Sequence, residues 1–198
     1  DVIIDFSNAK AVDDLLVYSV DKKIPVVLCT TGLSEEQMEQ VKAASGQVAV
    51  LKSANMSLGI NLLMQLLAQA ATILAPAGFD MEIVEKHHNQ KLDAPSGTAI
   101  ALADSMNEAL DEAYSYKYDR SQERKKRDKY EIGIQAVRGG NIVGEHEVIF
   151  AGTDEVITFK HTAYSKAIFG KGAIEAAKYL AGKPAGFYGM ADVIKSAS

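Results

Sequence analysis

Short apolar runs alternate with helically spaced apolar positions through the first fifty residues of the chain. The runs predict three strands, at Val2–Phe6, Pro25–Cys29 and Val48–Leu51. A helix is predicted in each interval, the first capped by Ser7 or Asn8 and the second by a capping box of Ser34 and Gln37. Strands that alternate with helices are typical of βαβ units, so this part of the chain is predicted to form a parallel sheet.

The pattern of apolar positions changes in the second part of the chain. Helices over Gly59–Ala75 and Thr98–Leu110 flank a predicted strand at Met81–Lys86. Three β segments and a last helix follow, at Glu131–Val137, Ile142–Ala151, Glu155–His161 and Lys166–Leu180. The turn Arg138–Asn141 contains residues that tolerate positive φ, which predicts a hairpin between the first two of these β segments.

Composition excludes several classes of function. The 198 residues carry 21 Lys and Arg against 26 Asp and Glu, a net charge of −5, so no global basic field attracts the chain to nucleic acid or to an anionic membrane. The longest apolar stretch, Leu58–Ala77, is interrupted by polar residues along one face, which indicates a buried amphipathic helix and not a membrane span. A small-molecule partner is therefore expected.

The single cysteine, Cys29, excludes an internal disulfide and a cysteine-based zinc cluster. This usage suits a reducing compartment, and a cytoplasmic location is predicted. The opening residues Asp1–Phe6 have the pattern of a core strand and no initiator methionine. We therefore expect the chain to begin inside a larger protein.

Residues 113–130 are rich in tyrosine and charge and are predicted to be a surface excursion. Within them, Lys117–Lys129 holds seven basic and three acidic residues with tyrosines around it, a composition that can bind single-stranded nucleic acid. The alternative is a solvated, partly helical face on which Glu123 and Arg127 form an i,i+4 pair. The acidity of the whole chain favours the second interpretation.

The stretch Glu85–Thr98 concentrates side chains that suit acid catalysis on an anionic substrate. It places two imidazoles, His87 and His88, and the ammonium of Lys91 just beyond a predicted strand. The Pro-Ser-Gly-Thr helix start that follows offers free backbone N–H groups and a positive dipole end to a carboxylate or phosphate. Each fragment alone fits a simpler interpretation, in which Ser96 caps a helix and the histidines are ordinary polar residues. Their occurrence within fourteen residues favours the functional one.

A metal site is the alternative interpretation of the paired histidines. Lys91 repels a cation, and adjacent residues on extended backbone point to opposite sides, so His87 and His88 do not form a chelating pair. Metal binding would require His146 or His161 to lie close in space. We predict no bound metal.

Two loops follow predicted parallel strands at the end where open α/β sheets bind ligands. These are Cys29–Gly32 and Ser53–Ser57. They are dinucleotide or phosphate candidates, or else ordinary polar turns, because the chain has neither a G-x-G-x-x-G fingerprint nor a P-loop. Cys29 has no activating base near it in sequence and is interpreted as a small core or loop thiol.

The order of several motifs resembles the dihydrodipicolinate reductase family of the bacterial diaminopimelate route to lysine. Glu85–Ala99 is similar to the long signature of that family. Supporting motifs span nearly the whole chain, at Thr30–Gly32, Ser53–Gly59, Val137–Val148 and Gly186–Met190.

The resemblance implies an oxidoreductase that uses NADH or NADPH to deliver a hydride to the ring C4 of a dicarboxylate substrate, with protonation at C3. It implies that His87 is the general acid/base and that Lys91 is a second catalytic group that also contacts substrate. His88, Gly97 and Thr98 are implied to hold the substrate carboxylates. The implied cofactor-binding residues are Cys29, Thr30, Thr31, Ser53, Ala54, Asn55 and Met56.

The implied fold class is α/β, with a truncated Rossmann-like parallel sheet at 1–58, an α+β substrate-binding and tetramerisation domain with a mixed sheet at 59–180, and a tail at 181–198 that returns to the first domain. A homotetramer assembled through the strands of 131–161 is implied as well. Two departures from the family pattern are visible: Cys29 stands where glycine is usual, and the N-terminal strand, glycine-rich turn, helix and next strand are expected but absent.

Two other functions compete with the reductase. The chain can be a non-catalytic oligomerisation fragment of the same enzyme, since the groups for pyrophosphate and adenosine ribose are among those expected but absent. It can also be a Schiff-base enzyme that uses Lys91, which borohydride trapping of substrate would reveal.

Overall fold

The computed structural model describes residues 1–196. The strands are β1 Ile3–Asp5, β2 Val26–Leu28, β3 Ala49–Lys52, β4 Asp80–His87, β5 Ser115–Lys117, β6 Glu131–Arg138, β7 Gly144–Ala151, β8 Val156–Ala163 and β9 Gly186–Tyr188. The helices are α1 Val12–Lys22, α2 Glu35–Ser45, α3 Leu58–Leu74, α4 Gly97–Glu108, α5 Ala167–Leu180 and α6 Met190–Ser196, with a short 3-10 helix at Ala9–Ala11. The chain divides into two compact units, one of residues 1–61 with the C-terminal segment from Ala167 and one of Leu62–Lys166.

The first unit is built on a four-stranded parallel sheet in the order β1-β2-β3-β9. Alternate side chains of β2 enter different cores, because Val26 and Leu28 pack with residues of α1 and α2 while Val27 packs with residues of α5 and α6. Helices therefore cover both faces of the sheet. The predicted βαβ arrangement and parallel sheet are confirmed.

The helix starts in this unit follow the predicted capping chemistry. Ser34 Oγ accepts a hydrogen bond from the Gln37 amide, and the Gln37 side chain accepts one from the Ser34 amide, which completes the capping box. Asn8 caps the 3-10 helix that leads into α1, where its side chain accepts from the Lys10 amide at 3.0 Å.

The second unit holds a five-stranded mixed sheet in the order β5-β6-β4-β7-β8. β4 is parallel to β6 and antiparallel to β7, so it lies inside the sheet with a partner on each side. One face packs against α3 and α4, and this core includes Leu67, Met81, Leu102 and Phe150. The mixed sheet expected for this part of the chain is confirmed.

The predicted hairpin between β6 and β7 is wrong. β4 separates the two strands, and neither pairs with the other. The connecting turn bonds to the end of β4 instead: the Gly139 amide donates to the His87 carbonyl at 2.9 Å, and the Asn89 amide donates to the Gly140 carbonyl at 3.2 Å. Gly140 does have the positive φ that the turn predicts, at 49°. Local turn chemistry was interpreted correctly, but it does not determine which strands pair.

The charged segment before β6 includes the short edge strand β5 and is not helical along its basic run. Arg127 pairs with Asp80 at 2.9 Å and with Glu82 at 3.0 Å, so the i,i+4 pair with Glu123 is wrong. Glu123 instead contacts Lys117. Carboxylates exposed on the neighbouring strand β4 attract the arginine more effectively than a partner on the same segment.

The division into compact units differs from the sequence-based domains at α5. Residues 167–180, grouped by sequence with the second domain, belong to the first unit, where Ala173, Ala176 and Leu180 are buried against the sheet. No helix among residues 1–196 is both long enough and apolar enough to cross a membrane.

Candidate functional site

The site in the second unit lies toward the end of β4, where the side chains on the core-facing side of the strand change from apolar to polar. Met81 and Ile83 point into the hydrophobic core, and Glu85 and His87 continue the same face because side chains two residues apart in a strand share a side. Glu85 is fully buried, and His87 is 8% exposed. The strand therefore presents a carboxylate and an imidazole at its carboxyl end.

The Glu85 carboxylate accepts hydrogen bonds from three different segments. Arg138 donates to both of its oxygens at 2.7 Å, and the Ser96 amide donates to Oε1 at 2.9 Å. The Nδ1 of His87 lies 2.6 Å from Oε2. Burial alone would raise the pKa of Glu85, but the hydrogen bonds from Arg138, His87 and Ser96 outweigh it and lower the pKa. The carboxylate is therefore held in its charged form.

The imidazole of His87 experiences opposing influences. Burial lowers its pKa, while the hydrogen bond and charge of Glu85 oppose that change. The positive charges of Lys91 and Arg138 add to the lowering. The net effect is a lowered pKa, which favours the neutral imidazole.

A second imidazole, His146 on β7, packs against the first. The ring centroids of His87 and His146 are 5.1 Å apart in an edge-to-face arrangement, and His146 Nε2 lies 3.1 Å from Ser96 Oγ. The Nδ1 atom of His146 is buried and has no hydrogen-bond partner among residues 1–196. Burial, followed by the nearby His87, lowers the pKa of His146 to about 4, so this ring is neutral near pH 7.

The start of α4 borders this cluster as the sequence predicts. Ser96 is the N-cap, and its hydroxyl accepts from the Ala99 amide at 3.2 Å, so the capping interpretation is confirmed. Gly97 and Thr98 form the first turn that follows the cap. Ser96 thus caps the helix through its hydroxyl and donates its amide N–H to Glu85.

Lys91 and His88 lie in the loop between β4 and α4. The Lys91 ammonium is 2.8 Å from Asp93, which lowers the pKa of that carboxyl. The Lys91 amide donates to the His88 carbonyl at 3.2 Å. Since the charge of Lys91 acts on His87, the structure brings the ammonium and the imidazole into one electrostatic environment.

Sequence reasoning missed Glu85, Arg138 and His146 as members of the cluster. Glu85 and His87 are two residues apart on a strand, a spacing that places them on one face. Arg138 is opposite His87 in the register of β4 and β6, and His146 is opposite Glu85 in the register of β4 and β7. Those two long-range pairings have no signal in a single sequence.

Across the part of the chain that the structure describes, no group of three or more His, Cys, Asp or Glu side chains is arranged to hold a metal ion.

In the first unit, a cavity of about 410 Å³ opens at the carboxyl ends of β2 and β3. Thr31, Ser53 and Ala54, three of the predicted cofactor-binding residues, line it together with Lys52. The Lys52 ammonium donates to the Thr30 carbonyl at 2.9 Å, and burial lowers its pKa. Lys52 was not predicted, because it is the last residue of β3 and directly precedes the predicted loop.

The other predicted cofactor-binding residues lie beside the cavity and use their side chains internally. Thr30 donates to the Asp5 carboxylate at 2.6 Å, and the Asn55 carboxamide accepts from the Ser57 amide at 2.8 Å. Met56 is buried in the core beneath α5. Burial and the charge of Asp5 raise the pKa of Cys29 to about 12, which leaves it a thiol, as predicted from its sequence context.

A parallel sheet with helices on both faces and a cavity at its strand ends has the architecture of a dinucleotide-binding domain. The carboxylate, imidazole and ammonium cluster of the second unit is typical of an enzyme that moves a proton. The two units together define the class of two-domain α/β oxidoreductases.

Comparison with known families identifies the particular group. The model described as "Dihydrodipicolinate reductase, N-terminus" matches residues 1–56, and the model described as "Dihydrodipicolinate reductase, C-terminus" matches residues 59–194. The chain belongs to the dihydrodipicolinate reductase family, which confirms the resemblance stated from its motifs.

Individual relatives agree with that assignment. The chain is 54% identical over 195 residues to the 4-hydroxy-tetrahydrodipicolinate reductase of Caldanaerobacter subterraneus subsp. tengcongensis, covering 98% of this chain and 77% of the relative. It is 53% identical to that of Clostridium novyi, over 99% of this chain and 77% of the relative. A solved structure, "Dipicolinate bound Dihydrodipicolinate reductase from Paenisporosarcina sp. TG-14", matches with a TM-score of 0.77 at 25% identity, over 97% of this chain and 73% of that one. The α/β fold class is thereby confirmed.

Proposed function

We propose that this chain catalyses the NADH- or NADPH-dependent reduction of 4-hydroxy-tetrahydrodipicolinate, the hydrated form of dihydrodipicolinate, with His87 as the proton donor. The observation that carries the proposal is the setting of His87. Its Nδ1 is engaged by a buried carboxylate at 2.6 Å, which leaves Nε2 to exchange a proton with substrate.

The groups beside His87 suit a dicarboxylate. Lys91 supplies a full positive charge, and the first turn of α4, at Gly97 and Thr98, presents the positive end of the helix dipole. His88 adds a further donor from the same loop. Support for this substrate class also comes from the relative of known structure, whose name records bound dipicolinate. We assign His88, Lys91, Gly97 and Thr98 to carboxylate binding.

The cavity of the first unit fits part of a dinucleotide. Its volume of about 410 Å³ lies within the usual range of ligand pockets. Small residues such as Gly32, Ser53 and Ala54 leave room for a planar ring. Thr31 and Lys52 place polar groups on its wall. These residues, with Thr30, Asn55, Met56 and Cys29 behind or beside them, would hold the nicotinamide end of the cofactor.

When bound, the cofactor supplies the hydride that reduces C4 of the substrate. The work of this chain is to hold the dicarboxylate and to place a proton. Loss of water from the 4-hydroxy compound, the C4 hydroxyl leaving with a proton of C3, gives the C3–C4 double bond of dihydrodipicolinate. Reduction of this bond at C4 would leave its electron pair at C3, where His87 would donate its proton. Lys91 and the positive dipole end of α4 would stabilise the negative charge of the carboxylates during the step.

The proposed substrate is a small molecule in the cytoplasm, and not nucleic acid. The basic run Lys117–Lys129 has a composition that can bind nucleic acid, but its charge is partly neutralised within its own unit. Arg120 contacts Glu82 at 2.8 Å, and Arg127 contacts Glu82 and Asp80. These pairs leave less free positive charge for phosphate contacts.

We also propose that the chain forms a homotetramer through the open face of the second sheet. That face carries a ladder of opposite charges, in which Lys160 contacts Glu145 at 3.0 Å and Glu147 at 2.9 Å. Lys160→Glu would place like charges together on this face, so it should reduce the mass measured by light scattering. The same change at Lys178 on α5 is the control and should leave the mass unchanged.

A direct assay of cofactor oxidation tests the reductase activity. Purified chain is mixed with dihydrodipicolinate and either NADH or NADPH, and cofactor oxidation is followed with wild type and His87→Gln. We expect turnover in the wild type and a fall of roughly a hundred- to ten-thousand-fold in the variant, typical of lost general acid catalysis. His161→Gln on β8 is the matched histidine control. Absence of turnover with both cofactors would favour the non-catalytic oligomerisation fragment.

A further inference from the structure

The buried carboxylate of Glu85 contacts the proposed proton donor directly, through the Nδ1 atom of His87. We propose that Glu85 is the positioning residue of His87, fixing the orientation and tautomer of its ring, and that Arg138 holds Glu85 in place. This inference deepens the proposed function and rests on it.

Burial makes the presence of a carboxylate at this position costly. Glu85 is fully buried on a strand face where Met81 and Ile83 fill the core. An apolar side chain would serve packing at least as well, since replacing buried ion pairs with apolar residues is often neutral or stabilising. A structural role alone therefore does not account for the glutamate.

The hydrogen bonds to Glu85 determine its protonation state and its position. Arg138 binds it with two donors, and the Ser96 amide adds a third, so the carboxylate stays ionised with little freedom to rotate. The remaining contact, at 2.6 Å, is to His87 Nδ1. An ionised carboxylate is only an acceptor, so Nδ1 must carry the proton.

Fixing the proton on Nδ1 determines what Nε2 can do. In the neutral ring Nε2 has the free lone pair, and in the imidazolium it has the proton to be donated. Glu85 therefore directs the exchangeable proton toward Nε2 and stabilises the imidazolium that donates it. The arrangement resembles the carboxylate that orients the histidine in hydrolytic triads.

The other charged groups around His87 do not replace this role. Lys91 in the following loop and Arg138 on β6 are both positive and disfavour the imidazolium. His146 on β7 is neutral near pH 7 because its own pKa is about 4. Glu85 on the same strand is thus the negative group among those that act on His87.

Glu85→Gln tests the inference directly. The amide oxygen can still accept from Nδ1 and the side-chain volume is retained, but the negative charge is lost. We expect the His87 titration, followed by NMR and assigned with His87→Gln, to shift to lower pH. The high-pH limb of the turnover profile should move with it, and kcat near pH 7 should fall by about ten- to a hundred-fold with little change in KM.

Glu131→Gln is the matched control. Glu131 is another buried carboxylate of the same unit, on β6, and it pairs with Arg120. Its neutralisation should leave the His87 titration and the pH profile of turnover unchanged. A second variant, Glu85→Gln with Arg138→Met, removes the uncompensated guanidinium and keeps the test available if the single variant does not fold. It is compared with Arg138→Met alone, because the loss of Arg138 by itself raises the pKa of His87.

Two results would overturn the inference. One is a His87 titration whose midpoint does not change on Glu85→Gln, either in the wild type or in the Arg138→Met background, and the other is an equal shift in the Glu131 control. The NMR titration needs no turnover, so it separates this inference from the proposed function. If neither cofactor is oxidised but the titration shifts as expected, the reductase assignment fails while the positioning of His87 by Glu85 stands.

Discussion

A Cβ atom on Gly144 would lie 3.1 Å from the Nε2 atom of His87. Gly144 begins β7, beside the end of β4 where the imidazole is held. That separation is shorter than most contacts of a real Cβ, and the left-handed backbone region is not involved at this position. A larger residue at this position would require the imidazole to move by a few tenths of an ångström.

Gly144→Ala should therefore impair turnover with little loss of stability. The added methyl group pushes against Nε2, the atom proposed to donate the proton, and misplacement of about 1 Å can cost about a hundred-fold in rate. Gly139→Ala is the control, because a Cβ there meets open space even though Gly139 bonds to the His87 carbonyl. Equal kcat values in the two variants would show that the methyl group is accommodated.

Lys91→Ala should impair both substrate binding and turnover. The substitution removes the ammonium proposed to contact a substrate carboxylate, so KM should rise and kcat should fall. Steady-state kinetics over a range of substrate concentrations measure both. Lys178→Ala is the control, since that lysine forms an exposed pair with Glu175 at 2.8 Å. Borohydride trapping of substrate on Lys91 would instead support a Schiff-base mechanism.

The chain should become less stable as the pH is lowered, because of His146. Its pKa is about 4 when folded and about 6.5 when unfolded, so the unfolded state binds more protons between these values. The contribution is fully present above about pH 6.5 and is lost as the pH falls toward 4, an effect on the order of 3 kcal/mol.

Denaturant unfolding at several pH values tests this assignment. His146→Gln should flatten the dependence of the free energy of unfolding on pH between about 4 and 6.5. His87 and His161 also have lowered pKa values, so part of the dependence should persist. A pH dependence identical to that of the wild type would assign the effect to other groups.

Gly172→Ala should destabilise the first unit strongly. A Cβ at Gly172 would lie 1.7 Å from the Met56 carbonyl oxygen, a backbone atom that cannot rotate away. We expect the free energy of unfolding to fall by about 3 kcal/mol, at the upper end of overpacking effects. Gly170→Ala, two residues earlier in α5, meets nothing within 4 Å and should be neutral or stabilise the helix by up to about 1 kcal/mol.

Local features of the fold could be predicted from the sequence. Alternating strands and helices predicted the parallel sheet, and Ser34 with Gln37 predicted a capping box that the structure contains. The predicted hairpin failed because a Gly-Gly turn specifies only a change of direction. The insertion of β4 between β6 and β7 depends on pairings of residues more than fifty positions apart.

The candidate site shows the same division between local and long-range information. His87, Lys91 and Ser96 lie within ten residues and were recognised from composition and helix-start chemistry. Arg138 and His146 reach them only through the register of the sheet. Their side-chain types alone do not distinguish them from other polar residues on strands.

The position of the site at the end of β4 affects how easily the backbone that carries it opens. β4 is bonded to β6 from Met81 to His87 and to β7 from Asp80 to Lys86, so its amides are protected from both sides. Those amides can exchange with deuterium only when a large part of the sheet opens, whereas the singly paired strands β5 and β8 can fray alone. His87, the proposed proton donor, is therefore carried by a strand with a partner on each side, and local opening at the edges of the sheet should leave it in place.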